Sequence, residues 1–115
     1  FTGCGGGSNP AGPSGSNSIV GTWKGYWAGL GTNITITFTA DGKYEEVREN
    51  EQCKPFLSGT YALDAETWPN GSNKMTITQT HYCGGRLRKP VILPWSYRFE
   101  RDYLWLLGYK MQRIG

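Results

Sequence analysis

The sequence predicts an all-β fold: an eight-stranded up-and-down antiparallel barrel with an extended N-terminal arm. Three observations carry that expectation. From Ile19 onward, apolar and polar residues alternate with period two in short runs, as half-buried strands do. Turn residues separate the runs, and 17 glycines stand beside five tryptophans and seven tyrosines, a composition that favours short strands and tight turns. No apolar stripe with helical spacing persists over ten residues, so no long helix is expected.

The elements follow in chain order. Residues 1–18 read FTGCGGGSNPAGPSGSNS, without a charge. Such a segment buries too little apolar surface to offset its ordering entropy, so it is expected to form an arm apart from a globular unit over residues 19–115. The first strand is expected over Val20–Ala28, with Trp23, Gly25 and Trp27 on one face, and the second over Asn33–Thr39, where Ile34, Ile36 and Phe38 alternate with polar neighbours. Asp41-Gly42 marks a hairpin, because glycine tolerates positive φ. A third strand is expected over Lys43–Asn50, a fourth over Leu57–Leu63, and a fifth over Lys74–Tyr82 with Met75 and Ile77 inward, the stretch Thr67–Ser72 being a loop. The sixth covers Val91–Glu100, with Trp95, Tyr97 and Phe99 on one face; the seventh covers Tyr103–Leu107 and the last Tyr109–Ile114. Tight links between successive strands favour a closed barrel, which removes exposed edges, over a two-sheet sandwich.

Composition narrows the function classes. The chain has 115 residues and a net charge of +3, a mild basic excess that does not point to nucleic acid. No run of about 18 apolar residues offers a membrane-spanning helix. One histidine and three cysteines do not make a zinc framework, and no cofactor is expected. His81 has no triad context and is expected to be structural. Glu45, Glu46, Glu49 and Glu51 form an acidic cluster, expected to be a solvated face rather than a hydrolytic pair. Glu46 and Arg48 share the parity of Tyr44, so both are expected to point inward and to need partners there. Arg86, Arg88 and Lys89 read as a small basic loop that could meet the acidic strand of a neighbouring copy. Asn33-Ile34-Thr35 and Asn70-Gly71-Ser72 are sequons, making Asn33 and Asn70 candidate glycosylation sites. No constellation for catalysis emerges, so a non-enzymatic role is expected.

Gly21-Thr22-Trp23 at the first strand, Asp41-Gly42 before Tyr44, Ser58-Gly59-Thr60-Tyr61, and Arg113 on the final strand form a pattern. It resembles the small lipocalin-like barrels of secreted bacterial proteins and lipoproteins, within the calycin group, over about Ile19 to Ile114. The resemblance implies that Arg113 packs over Trp23 and closes the barrel, a contact with cation–π character. It also implies an extracellular or cell-surface location. The chain is shorter than a full lipocalin and its aromatics are expected to fill its own interior.

Cys53 follows the third strand and Cys83 the fifth, so in an up-and-down barrel their loops emerge at the same end. A Cys53–Cys83 disulfide is expected in an oxidising compartment, with two free thiols as the alternative. Phe1-Thr2-Gly3-Cys4 resembles the end of a bacterial lipobox, which would make Cys4 a lipid attachment point. If the residues preceding it are retained, Cys4 is not lipidated and would cross-link to another subunit or to the barrel, or be a spare thiol; lipidation and cross-linking both stay open. Two functions are carried forward. The first is a structural subunit that assembles with itself, into a filament where the contact does not close, through residues 1–18. The second is a lipid-anchored barrel that binds a small hydrophobic ligand.

Overall fold

A computed structural model describes residues 18–115. The arm expectation for residues 1–18 therefore falls outside the described residues except at Ser18, and every expectation for Cys4 falls outside them as well. The described residues form eight strands: β1 Gly21–Trp27, β2 Thr32–Phe38, β3 Lys43–Arg48, β4 Leu57–Thr67, β5 Asn73–Tyr82, β6 Arg86–Glu100, β7 Tyr103–Leu106 and β8 Tyr109–Arg113. Each pairs antiparallel with the next, and β8 returns to β1 through Trp23↔Arg113 and Lys24↔Gln112, so the sheet closes into a barrel. The up-and-down barrel expected from the alternation is the observed fold, and the sandwich is not.

Period two puts one face of every strand inside. Ile34, Ile36 and Phe38 of β2 are wholly buried, as are Met75 and Ile77 of β5, Leu104 and Leu106 of β7, and Met111 of β8. Aromatic rings link these aliphatics across the interior. Tyr109 stacks on Trp27 at 5.0 Å between centroids, Trp27 meets Trp95 edge-on at 6.1 Å, and Trp95 meets Tyr44 edge-on at 5.7 Å. Edge-on and stacked pairs at these separations add to the apolar burial that drives closure. The shortest side, where β8 crosses β1, depends on Gly25: a Cβ there would run into the Lys110 carbonyl and lie 2.6 Å from the Met111 Sδ.

Two boundaries differ from expectation. β4 runs to Thr67 rather than ending near Leu63, after a register shift between those residues that re-pairs Thr67 with Asn73. β6 starts at Arg86, so Arg86, Arg88 and Lys89 lie on a strand and not in a loop. The reason is the tight turn Cys83-Gly84-Gly85, with φ of 48°, 82° and 104°, which sends β6 straight back along β5 and pairs Tyr82 with Arg86 and His81 with Leu87. This longer strand contains both Pro90 and Pro94, of which only Pro94 lay within the expected Val91–Glu100. Both are tolerated because β6 pairs with β7 only over Tyr97–Glu100, leaving residues 86–96 with no partner strand on that side among the described residues.

Candidate functional site

The closing pair sits where β8 meets β1. The Arg113 guanidinium lies 4.3 Å from the Trp23 ring centroid, and its Nη1 and Nη2 donate to the Val20 and Ser18 carbonyls at 2.8 and 2.6 Å. Trp23 donates its indole N–H to the Ile19 carbonyl at 2.9 Å. One arginine therefore covers the end of the barrel and fastens the chain where it enters β1. The cation–π contact contributes about 0.5–2 kcal/mol. The contact is the one that the resemblance implied.

The opposite end carries the buried polar chemistry. Tyr44, Glu46 and Arg48 alternate on β3, so all three point to one side of the strand. Glu46 is 1% exposed, accepts the Tyr44 hydroxyl at 2.9 Å on Oε1, and accepts Arg48 Nε at 2.7 Å on Oε2. The Gln79 amide donates to the Tyr44 oxygen at 3.4 Å, and Arg48 lies over the Phe56 ring at 4.4 Å. The inward parity of Glu46 and Arg48 is thus observed; Gln79 and Phe56 escaped the sequence reading. Gln79 follows Met75 and Ile77 by period two on β5, and that spacing alone marks it as inward.

Burial, with the Glu46 carboxylate as the next cause, holds the Tyr44 phenol far above its usual range. Tyr61 and Tyr97 are also raised, first by burial and then by Asp41 and Asp64 respectively. The fold holds the neutral phenol. Below the ordinary value near 10 both folded and unfolded chains carry that form, so no pH dependence arises. Above it the unfolded chain ionises while the folded one does not. Stability should then fall by about 1.4 kcal/mol per pH unit for Tyr44 alone. Urea melts across that alkaline range should give this slope, and Tyr44→Phe should flatten it, leaving what Tyr61 and Tyr97 contribute. An equal slope in the variant would overturn the assignment.

Cys53 and Cys83 form a disulfide with a Cα–Cα distance of 4.6 Å, so the expected pairing is present. It ties the segment between β3 and β4 to the turn between β5 and β6, beside the Glu46 network. Cys83 is therefore no thiol nucleophile, and His81 pairs through Nδ1 with the Thr80 hydroxyl at 2.8 Å. The acidic cluster divides: Glu46 turns inward, Glu45 faces out, and Glu49 pairs with Lys24 at 3.3 Å. Among the described residues no group of three His, Cys, Asp or Glu could hold a metal. Of the sequons, Asn33 lies on β2 with its amide donating to Glu49 at 3.4 Å, whereas Asn70 is exposed in the β4–β5 loop.

The outer surface carries a second feature. On the β5–β6 hairpin, Leu87 is 78% exposed and Ile92 68% exposed. Arg86, Arg88 and Lys89 flank Leu87 along the strand, and Tyr82, Arg88, Lys89, Pro90 and Val91 line an open groove of about 640 Å³. A cationic, apolar strip therefore lies on the part of β6 without a β7 partner. No family model, curated protein or solved structure matches this chain.

Proposed function

We propose that this chain is a non-enzymatic structural subunit of an extracellular or cell-surface assembly, built on a lipocalin-like barrel. Residues 1–18 act as the tether, and the partner is a second copy. The observation that carries this reading is the exposed stretch of β6 that bears Leu87 and Ile92 together with Arg86, Arg88 and Lys89. Exposed apolar surface rimmed by polar residues marks interaction sites. Glu45, on the exposed side of β3, and Glu51, just beyond it, supply the complementary charge on a neighbouring copy. A patch on one side of the molecule meeting a different patch on another copy is a head-to-tail contact, which propagates when the rotation does not close. The disulfide fits an oxidising compartment. The ligand-carrying alternative has less support, because interior rings pack against one another.

Light scattering and electron microscopy of the full chain test the reading. Oligomers are expected from the full chain, monomers after deletion of residues 1–18, and at least about tenfold weaker association after Arg86→Glu with Arg88→Glu and Lys89→Glu, equivalent to about 1.4 kcal/mol. High salt should weaken the full chain likewise. A monomeric full chain at high concentration, or full assembly after the deletion, overturns the proposal.

A further inference from the structure

We propose that a groove on the outer wall, at the far end from the disulfide, binds a pyranose oligosaccharide. This rests on other residues than the assembly reading and stands or falls apart from it. The groove lies between the β4–β5 loop, strands β6 and β7, and the turn after β7. One lobe of about 470 Å³ has Trp68, Asn70 and Ser96 in its wall. A second, of about 270 Å³, has Asn70, Ser72, Ser96, Arg98 and Trp105. The lobes share Asn70 and Ser96, so they adjoin as one depression, and each has one indole in its wall.

The distribution of chemistry in the groove decides the ligand class. The Trp68 lobe is mainly apolar, with Pro69, Pro94 and Leu107 completing its wall. The Trp105 lobe is mainly polar, with side-chain hydroxyl, amide and guanidinium groups. A sugar ring has the same division: an apolar C–H face that packs on an indole, and hydroxyl edges that require several donors and acceptors close together. The Trp68 indole N–H is itself buried and has no acceptor among the described residues, so the indole meets a ligand through its ring and not through that donor.

The groove is held in shape before any ligand arrives. Trp68 N–H donates to the Ser72 carbonyl at 2.8 Å and Gly71 N–H to the Trp68 carbonyl at 2.8 Å. The Asn70 side-chain oxygen accepts from Ser72 N–H at 2.9 Å, which leaves its amide free to donate. Trp105 is fixed by donating its indole N–H to Glu100 at 2.8 Å and by the Arg98 guanidinium 5.1 Å from its ring centroid. Arg98 forms no ion pair with a carboxylate among the described residues. An acidic sugar would pair with it, so a uronate-containing chain is the favoured member of the class. Fixed walls lower the ordering cost on binding. A glycan on Asn70 would occupy the same depression, so the test requires protein from a host that adds no N-linked sugar.

The experiment is an NMR titration of the full chain with short oligogalacturonate and, separately, with a neutral cello-oligosaccharide of equal length. The indole N–H resonances are assigned through Trp68→Phe and Trp105→Phe. Saturable movement of the Trp68 and Trp105 signals is expected, with the other tryptophans unmoved. Trp68→Ala and Trp105→Ala should each weaken binding at least about tenfold. Arg98→Gln should weaken oligogalacturonate several-fold and leave the neutral chain unchanged. Both tryptophans lie outside the buried core, and the wild-type titration needs no variant. Movement of neither indole with either saccharide overturns the proposal, as does undiminished binding by both alanine variants.

Discussion

Arg48→Ala should destabilise the barrel by about 3–5 kcal/mol, among the largest losses of any single change outside the aliphatic core. The reason is what the truncation leaves behind. Glu46 is 1% exposed, and its Oε2 takes its charge partner from Arg48 at 2.7 Å. Without that guanidinium the carboxylate keeps only the Tyr44 hydroxyl, a neutral donor, inside an apolar wall. Loss of the Arg48–Phe56 contact adds about 0.5–2 kcal/mol at most, so it cannot account for the whole effect. The reverse deletion should be milder. Glu46→Gln keeps an oxygen for the Tyr44 hydroxyl, and Arg48, whose side chain is 21% exposed, can turn its charge toward water. Glu46→Gln with Arg48→Met removes both charges at nearly constant volume and should recover most of the stability lost in Arg48→Ala, since replacing a buried pair by packed neutral groups is often neutral. Urea denaturation of these proteins, with Arg48→Met alone added, closes the cycle. If Arg48→Ala costs less than Glu46→Gln, the carboxylate is being satisfied by something other than the guanidinium, and the account fails.

How much of this was legible in the sequence depends on which interaction set each feature. Strand phase was legible wherever one face is wholly buried. Ile34, Ile36 and Phe38 can face only one way, because a one-residue slip would expose all three. The inward Tyr44-Glu46-Arg48 run followed from the same parity, although its charges argue the other way locally; the Arg48 bond outweighs propensity there. The Trp23–Arg113 contact was legible through a resemblance, not through spacing, since residues ninety positions apart are brought together only by barrel closure. The start of β6 was not legible. The expected strand held Pro94 but began after Pro90, and nothing local reveals that one side of the strand there carries no ladder among the described residues. The Trp68–Trp105 groove was hidden for a related reason. Its walls come from the β4–β5 loop, β6 and the β7–β8 region, and only the register shift between Leu63 and Thr67 puts Trp68 above Ser96. What periodicity encodes is the inside of the barrel; the outer surface depends on irregularities that break the period.

Replacing both Cys53 and Cys83 by serine should cost about 3–4 kcal/mol, and the midpoint of thermal unfolding should fall by roughly 15–25 °C. The magnitude comes from the unfolded chain. The bridge spans 30 residues, and a cross-link over that length removes loop entropy that the free chain would otherwise gain on unfolding. In the folded state the two segments are also joined by backbone bonds. Cys83 N–H donates to the Phe56 carbonyl at 2.9 Å, Gly84 N–H to the Pro55 carbonyl at 2.8 Å, and Phe56 N–H to the Glu46 carbonyl at 2.9 Å. These bonds should persist in the serine variant, so its amide protons at Cys83→Ser and Gly84 should remain protected under native conditions. Two readouts then separate the unfolded-state account from a loss of native contacts. The first is the denaturant slope, which should rise in the variant because an uncross-linked chain exposes more surface on unfolding. The second is coupling to the Glu46 network. Phe56 both receives Arg48 on its ring and bonds to the Glu46 backbone, so loosening this segment would make Arg48→Ala and the serine pair non-additive. If the bridge acts on the unfolded chain, the two losses should add within about 0.5 kcal/mol. Strong non-additivity with an unchanged denaturant slope would instead mean that the disulfide holds the loop over Arg48 in the folded barrel, and the entropic argument would be wrong.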